Sequence, residues 1–265
     1  MKTEISSRQL SPLKVTVITV VRNAVDTIER TIRSVASQSY LNVEHIIIDG
    51  ASTDGTSDII RRHAATGTKC IFESDKGLYD GMNKGIRLAT GGVIGFLHAD
   101  DYYAHDHILE DIALVMGSES LDAVFGDAAF FKPEQPQRLV RRYCSARFRP
   151  ERVSWGWMPA HPALYVRREL FEQIGLFQTD YRIAGDFEWV ARVFRSRVVR
   201  YRYLPEVLVH MRMGGISTGG WRNTLLLNRE VMRACRENSI ATNWFKILSK
   251  YPAKLLEFAC PFRRT

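Results

Sequence analysis

Val15-Thr16-Val17-Ile18-Thr19-Val20 is almost unbroken in β-forming residues, the pattern of a parallel strand covered on both faces. The chain then turns helical in period, with Ile28, Ile32 and Val35 on one stripe behind Asp26, a residue able to cap the helix. The alternation recurs downstream. Residues 43–48 read as a second strand ending at Asp49-Gly50, 56–63 as a short helix and 69–72 as a third strand. Leu78, Met82 and Ile86 mark another helix, which Thr90-Gly91-Gly92 stops before a fourth strand at 93–97. Strand–helix alternation at this period predicts an α/β fold with a doubly wound, mostly parallel sheet and right-handed crossovers. Such sheets bind ligands beyond the carboxyl ends of their strands, which here are residues 19–23, 49–54, 73–76 and 98–101.

The second half is less regular. Residues 123–131 are strand-like with a bend at Gly126-Asp127, and 139–143 pair back as a hairpin. A short strand at 164–166 leads to a short helix at 169–174 stopped by Gly175, then a helix at 186–195. Two strands, 198–203 and 207–211, flank Leu204-Pro205, and a longer helix covers 220–236. With no repeat and no low-complexity linker, one domain over 13–236 and a C-terminal extension over 237–265 are expected.

Composition narrows the class. The 265 residues are 45% hydrophobic and 25% charged, the balance of a soluble globular protein with a substantial core. No stretch approaches 18 uncharged apolar residues, so no spanning helix is expected, and polar residues 1–12 lack the apolar region of a secretory signal. The expected compartment is the cytoplasm. Cys70, Cys144, Cys235 and Cys260 are scattered, against a zinc site. A net charge of +8 favours anionic partners, but the arginines lack an aromatic-interleaved or helix-turn-helix pattern, so no nucleic-acid partner is expected.

Asp100 and Asp101 follow the apolar strand directly, and adjacent carboxylates repel unless a cation or donors lie between them. Mg²⁺ and Mn²⁺ take such hard oxygen ligands together with substrate phosphates. The plainer alternative is a cap for a helix beginning near His105; position on the ligand edge of the sheet favours the site. In the loop 49–56, Asp49 is the ligand candidate, whereas Asp54 and Thr56 suit a turn and helix cap.

Four segments, in order, now resemble a known family: Val17-Ile18-Thr19-Val20-Val21-Arg22-Asn23; the loop from Asp49 to Thr56; Asp75-Lys76-Gly77-Leu78-Tyr79-Asp80-Gly81-Met82-Asn83-Lys84-Gly85; and Phe96 to Asp101. They look like the motifs of family 2 glycosyltransferases, and the likeness continues through His161-Pro162 and Gly175-Leu176-Phe177 to Asp186. The resemblance implies a GT-A fold, a nucleoside-diphosphate sugar donor, a divalent metal (Mg²⁺ or Mn²⁺) and inversion at the anomeric carbon. By position it puts Thr19 and Asp49 at the nucleoside with Arg22 near it, Asp75 at the base pocket, and Val21, Lys76 and Asn83 on the donor side. Asp100 falls near the ribose or metal water, and Asp101 on the metal. His210, with Arg212-Met213-Gly214-Gly215-Ile216-Ser217, resembles the segment that closes over the diphosphate and is taken as a second metal ligand; a Gly-Gly turn after a strand explains it as simply. Two positions depart from the pattern: His98 stands where the first acid of Asp-x-Asp is usual, and Gly50 where a second Asp is usual.

By the same resemblance Asp186 is the catalytic base, the carboxylate that takes the acceptor hydroxyl's proton as it attacks; an N-cap is the plainer reading. Glu188 is expected to pair with Arg192. Trp157 and His161 lie in an aromatic-rich loop that either lines an acceptor site or covers the sheet. At the C-terminus Trp244, Leu248, Tyr251, Leu255 and Phe258 alternate with Lys246, Lys250 and Lys254. This basic amphipathic stretch suits either the inner face of an anionic membrane or packing on the core, with Pro252 interrupting a continuous helix.

The reading is therefore an inverting, non-processive glycosyltransferase of surface-polysaccharide or lipid-linked oligosaccharide assembly, with a glycan or lipid-linked acceptor. Its rival is a non-catalytic nucleotide-sugar or glycan-binding module of the same fold. A dinucleotide-dependent oxidoreductase is disfavoured because no G-x-G-x-x-G follows the first strand.

Overall fold

The computed structural model describes residues 12–196, 198–215 and 220–251. Its first half runs β1 (Val15–Val21), α1 (Ile28–Ala36), β2 (Val43–Asp49), α2 (Thr56–His63), β3 (Lys69–Phe72), α3 (Leu78–Leu88) and β4 (Val93–Phe96). The strands β3-β2-β1-β4 are all parallel, as the alternation requires. Beyond β4 come β5 (Tyr102–Tyr103), α4 (Ile108–Ser118), and the hairpin β6 (Ala123–Lys132) and β7 (Gln135–Tyr143). β8 (Leu164–Arg167), α5 (Arg168–Ile174), α6 (Gly185–Ser196), β9 (Tyr201–Arg212), α7 (Trp221–Glu237) and α8 (Trp244–Leu248) follow. The sheet continues β4-β8-β6-β9-β5, with β8 antiparallel to both β4 and β6 and β9 parallel to β6.

Both faces are covered, which explains the unbroken apolar strands. Ile18, Val20, Ile46, Ile48, Ile94 and Phe96 meet Met82 and Ile86 of α3 with Phe171 and Phe187 of α5 and α6. On the other face Val21 and Ile47 meet Ile28, Ile32 and Ile60 of α1 and α2, while Val15, Val17, Val93 and Leu97 meet Ile108, Leu109 and Ile112 of α4. Glu44 is buried between strands and bonds to Thr16, Lys69 and Thr90. Burial alone would raise its carboxyl, but those bonds outweigh it and hold the group at about 2.

The structure corrects two local expectations, on Asp26 and on the strands around Pro205, and removes one alternative, the cap at 100–101. Asp26 does not cap α1: Thr27 precedes the helix and no side chain caps it. The acids at 100–101 do not cap α4, which begins seven residues past Asp101 behind His107, with β5 intervening. The two strands expected around Leu204-Pro205 are one, β9, whose pairing with β6 shifts register between Phe125 and Asp127. That irregularity lets Pro205 sit inside a strand without being asked for the N–H it lacks.

Candidate active site

The carboxyl ends of β1, β2 and β4 open onto a cleft of about 590 Å³, within the size range of sites that enclose a small organic ligand. Its walls include Val21, Arg22, Asp75, Tyr79, His98, Asp100, Asp101, His161, Arg182, Asp186 and Arg212. Residues from both halves of the chain thus meet at one place.

The floor loops are locked to each other. Asn23 N–H donates to Ser52 Oγ (2.8 Å), Thr53 N–H to Asn23 Oδ1 (2.9 Å), Ala24 N–H to Thr56 Oγ1 (2.8 Å) and Val25 N–H to Asp54 Oδ2 (3.1 Å). Asn23 and Ala51 accept left-handed backbone angles there, φ 52 and 57, a strain retained where the surroundings over-determine it. Asp54 and Thr56 serve this lock, and Asp54 also accepts from Thr56 N–H (3.0 Å) and lines the cleft; the residue before α2 is Gly55, so neither side chain stands at the expected N-cap position.

Asp49 is also spent internally. It is fully buried and accepts from Ser52 N–H (2.9 Å), Ser52 Oγ (2.6 Å) and Ser57 Oγ, and it does not line the cleft. Thr19 lies on the α1/α2 face of β1, where strand alternation puts it, and bonds to His45 (3.0 Å). Asn83 clamps the Phe177 backbone with both ends of its amide, at 2.8 and 3.0 Å. Lys76 is exposed, with only its backbone N–H engaged, on Asp80. None of Thr19, Asn83 or Lys76 reaches the cleft wall. Of the donor-side expectations, the structure brings Val21, Arg22, Asp75 and Asp100 together there.

Gly50 is explained by its neighbour. A Cβ at residue 50 would stand 2.3 Å from Asp75 Oδ2, so Asp75 fills the space a second aspartate in this loop would need.

Asp101 is 3% exposed, and its Oδ1 accepts from Arg212 N–H at 3.3 Å. Burial, then the charge of Asp100, push its carboxyl well above the usual range. Two adjacent carboxylates offer the oxygen donors that a hard divalent cation takes, and Arg22, Arg182 and Arg212 share the wall with them. His210 does not join them: it pairs with Tyr102 across β5 and β9, ring centroids 5.0 Å apart, and lies outside the cleft wall. A His–carboxylate group, His105, Asp111 and Glu206, also sits away from the cleft, with ligand atoms within 4.8 Å of one another.

His98 and His161 stack in the wall at 5.7 Å, and His161 also stacks on Phe96 at 5.2 Å. Burial lowers both imidazoles to about 4, leaving them neutral near pH 7. His98 Nδ1 and His161 Nε2 have no hydrogen-bond partner. Trp157, its loop neighbour, is half-buried but not part of the cleft wall.

Asp186 stands in the first turn of α6, its Oδ1 accepting from Phe187 N–H (2.8 Å) and lying 3.4 Å from the Tyr79 hydroxyl. That hydroxyl donates to Ile183 O at 2.6 Å. A side chain at Gly185 would meet the Tyr79 ring at 2.7 Å, so the glycine permits this close packing. Burial raises the Asp186 carboxyl to about 6, close to the value a general base needs near neutrality. Glu188 pairs with Arg192 as expected (3.0 Å). Sequence reasoning did not assign Tyr79, Arg182 or Arg212 to the site. Tyr79 lay in a quoted motif without a role, and Arg212 lay in the segment likened to the one that closes over the diphosphate, of which Ile216 and Ser217 fall outside the described residues.

The model of Glycosyl transferase family 2 matches residues 16–198. A PGL/p-HBAD biosynthesis glycosyltransferase of Mycobacterium bovis is 32% identical over 189 residues, covering 69% of this chain and 71% of that protein. Glycosyltransferase AglE of Haloferax volcanii is 27% identical over 184 residues, 67% of this chain and 60% of AglE. Among solved structures, the mannosyltransferase PcManGT from Pyrobaculum calidifontis, in complex with GDP-Man and Mn²⁺, superposes with TM-score 0.63 at 20% identity, covering 96% of this chain and 77% of that one. S. aureus TarS 1-349 in complex with UDP-GlcNAc gives TM-score 0.62 at 17% identity, over 93% and 73%. The chain belongs to glycosyl transferase family 2. It is a glycosyltransferase with the GT-A fold.

Proposed function

We propose that the protein is an inverting, non-processive transferase moving one sugar from a nucleoside-diphosphate sugar to an acceptor hydroxyl. The observation that carries this reading is the convergence of Asp75, Asp100, Asp101 and Asp186 on one cleft. The GDP-Man and UDP-GlcNAc held by the similar structures support such a donor.

In this mechanism Asp75 and the 98–101 loop hold the nucleotide, and Asp186 accepts the acceptor hydroxyl's proton as that oxygen attacks the anomeric carbon. The bond from that carbon to the diphosphate breaks on the opposite face, and the nucleoside diphosphate departs with the electron pair. A carboxylate that titrates near 6 is mostly ionised at pH 7 and still basic. Asp101, with Asp100 beside it, would hold Mg²⁺ or Mn²⁺, which supplies charge neutralisation for the diphosphate. Neutral His98 and His161 suit hydroxyl-rich ligands, since each unpartnered ring nitrogen is free to hydrogen-bond.

The test is a thermal-shift screen of UDP, GDP, dTDP and CMP sugars with and without Mn²⁺. One donor class should raise the melting temperature through linkage; no shift with any of them would overturn the reading.

We also place the enzyme at the cytoplasmic membrane face, acting on a lipid-linked or surface glycan. No helix among the described residues is long and apolar enough to cross a membrane. The described part of the C-terminal extension is held on the body by buried Ile247 and by Tyr251, which accepts from Asn228 (2.7 Å). Residues 252–265, including Leu255 and Phe258, lie outside the described residues. Trp155, Trp221, Trp244 and Phe245 remain exposed, with Lys246 over Trp155, Arg222 over Trp221, and Arg229 and Arg236 beside Trp244, the mixture that binds anionic lipid surfaces. The protein should float with anionic vesicles at low salt and not with neutral ones; equal recovery with both would remove the membrane reading.

A further inference from the structure

The segment leading into Asp186 is splinted by α7, which lies wholly beyond the family-matched residues 16–198. Glu230, 7% exposed, accepts from the backbone N–H groups of Arg182 (2.9 Å), Ile183 (2.8 Å) and Ala184 (2.8 Å). One turn on, Arg233 lies 4.3 Å over the Tyr181 ring and pairs with Asp180. A further turn on, Glu237 accepts from the Tyr181 hydroxyl at 2.6 Å. Glu230, Arg233 and Glu237 are spaced by three and four, so one face of α7 grips residues 180–184. The Glu230 carboxylate satisfies amides at the entry to α6 that no residue of α6 caps.

We propose that Glu230 is a positioning residue for Asp186: it fixes the backbone that aims this carboxylate into the cleft and sets a second negative charge behind it. The inference rests on the reading of Asp186 as the base. Tyr79 from α3 and Glu230 from α7 act on Asp186 directly, and the other titratable groups of the cleft wall are Arg22, Asp26, Asp54, Asp75, His98, Asp100, Asp101, His161, Arg182 and Arg212. Burial raises the Asp186 carboxyl most, bonds from Phe187 N–H, the Tyr79 hydroxyl and its own N–H lower it, and the charge of Glu230 adds a smaller push upward.

Glu230→Gln keeps the volume, removes the charge, and can orient only one acceptor oxygen toward three N–H donors. We expect kcat to fall about 10- to 100-fold, because a small misplacement of a catalytic group costs that much, with the donor KM unchanged. The acid limb of the kcat profile should move slightly to lower pH, since Glu230's small share of what raises Asp186 is gone while burial remains. Glu230→Asp restores the charge at shorter reach, so the acid limb should return toward its original position while kcat stays reduced. A purely structural role would lower stability without moving the limb.

Folded Glu230→Gln with unchanged kcat and acid limb, beside an Asp186→Asn that is silent, overturns the proposal. An active Asp186→Asn overturns the base reading instead. In the unmodified protein, the amides of Arg182, Ile183 and Ala184 should exchange hydrogen as slowly as those of α7; exchange at the rate of an open loop also overturns the splint and needs no variant.

Discussion

Asp186→Asn should reduce sugar transfer about 10²- to 10⁴-fold, the range attributed to a general base, while leaving donor binding intact. The amide can still accept from Phe187 N–H, so the first turn of α6 keeps its bond, and Tyr79 stays anchored on Ile183 O. Only the capacity to take a proton is lost. The pH profile tests the same assignment. Burial lifts this carboxyl from 3.8 to about 6, and the base must be ionised, so the rate should be full above that value and decline as pH falls through it. Steady-state transfer assays across pH 5–8 read both effects. A variant retaining more than about a tenth of the activity, or a wild-type rate indifferent to pH near 6, would remove Asp186 from the reaction.

Asp101→Asn should cost transfer about 10²- to 10³-fold, comparable to losing one preorganised stabiliser of developing charge. Its second signature separates it from simple damage. The Asp101 carboxyl is buried beside Asp100, and both burial and that neighbour disfavour its ionised form. Replacing it with an uncharged amide relieves that penalty, so in chelator the variant should melt no lower than the unmodified protein. With diphosphate present, the unmodified protein should gain stability from Mn²⁺ or Mg²⁺ and the variant should not. Melting curves with each ion, with and without nucleoside diphosphate, decide it; an undiminished divalent response in Asp101→Asn would refute the assignment. His210→Ala should leave that response unchanged, because His210 lies against Tyr102 outside the cleft wall.

Much of the framework was legible because it rests on local rules. The apolar run at 15–20, the four-residue spacing of Leu78, Met82 and Ile86, and the Thr90-Gly91-Gly92 stop each set an element without reference to distant residues. Strand ends then named the loops, and the cleft opens on them. The same rules could not say which loop side chains face the ligand. Thr19 and Asp49 stand at the right strand ends, yet one bonds to His45 and the other to Ser52 and Ser57. Asn83 sits in a motif but spends its amide on Phe177, 94 residues away.

The sequence by itself determined the alternation of strands and helices that calls for a mostly parallel sheet, the resemblance to the family and the likeness of Asp186 to its base, because periodicity and motif order are carried by neighbouring residues; the order β3-β2-β1-β4 came from the fold. Only the tertiary structure decided that Asp75 fills the space opened by Gly50, that His210 packs on Tyr102 outside the cleft wall, and that Glu230 holds the segment before Asp186. Those are contacts between residues far apart in the chain. A hydrogen bond has no sequence signature when its partners are joined only by folding, and a buried carboxylate reads in sequence like any exposed one until its neighbours are in place.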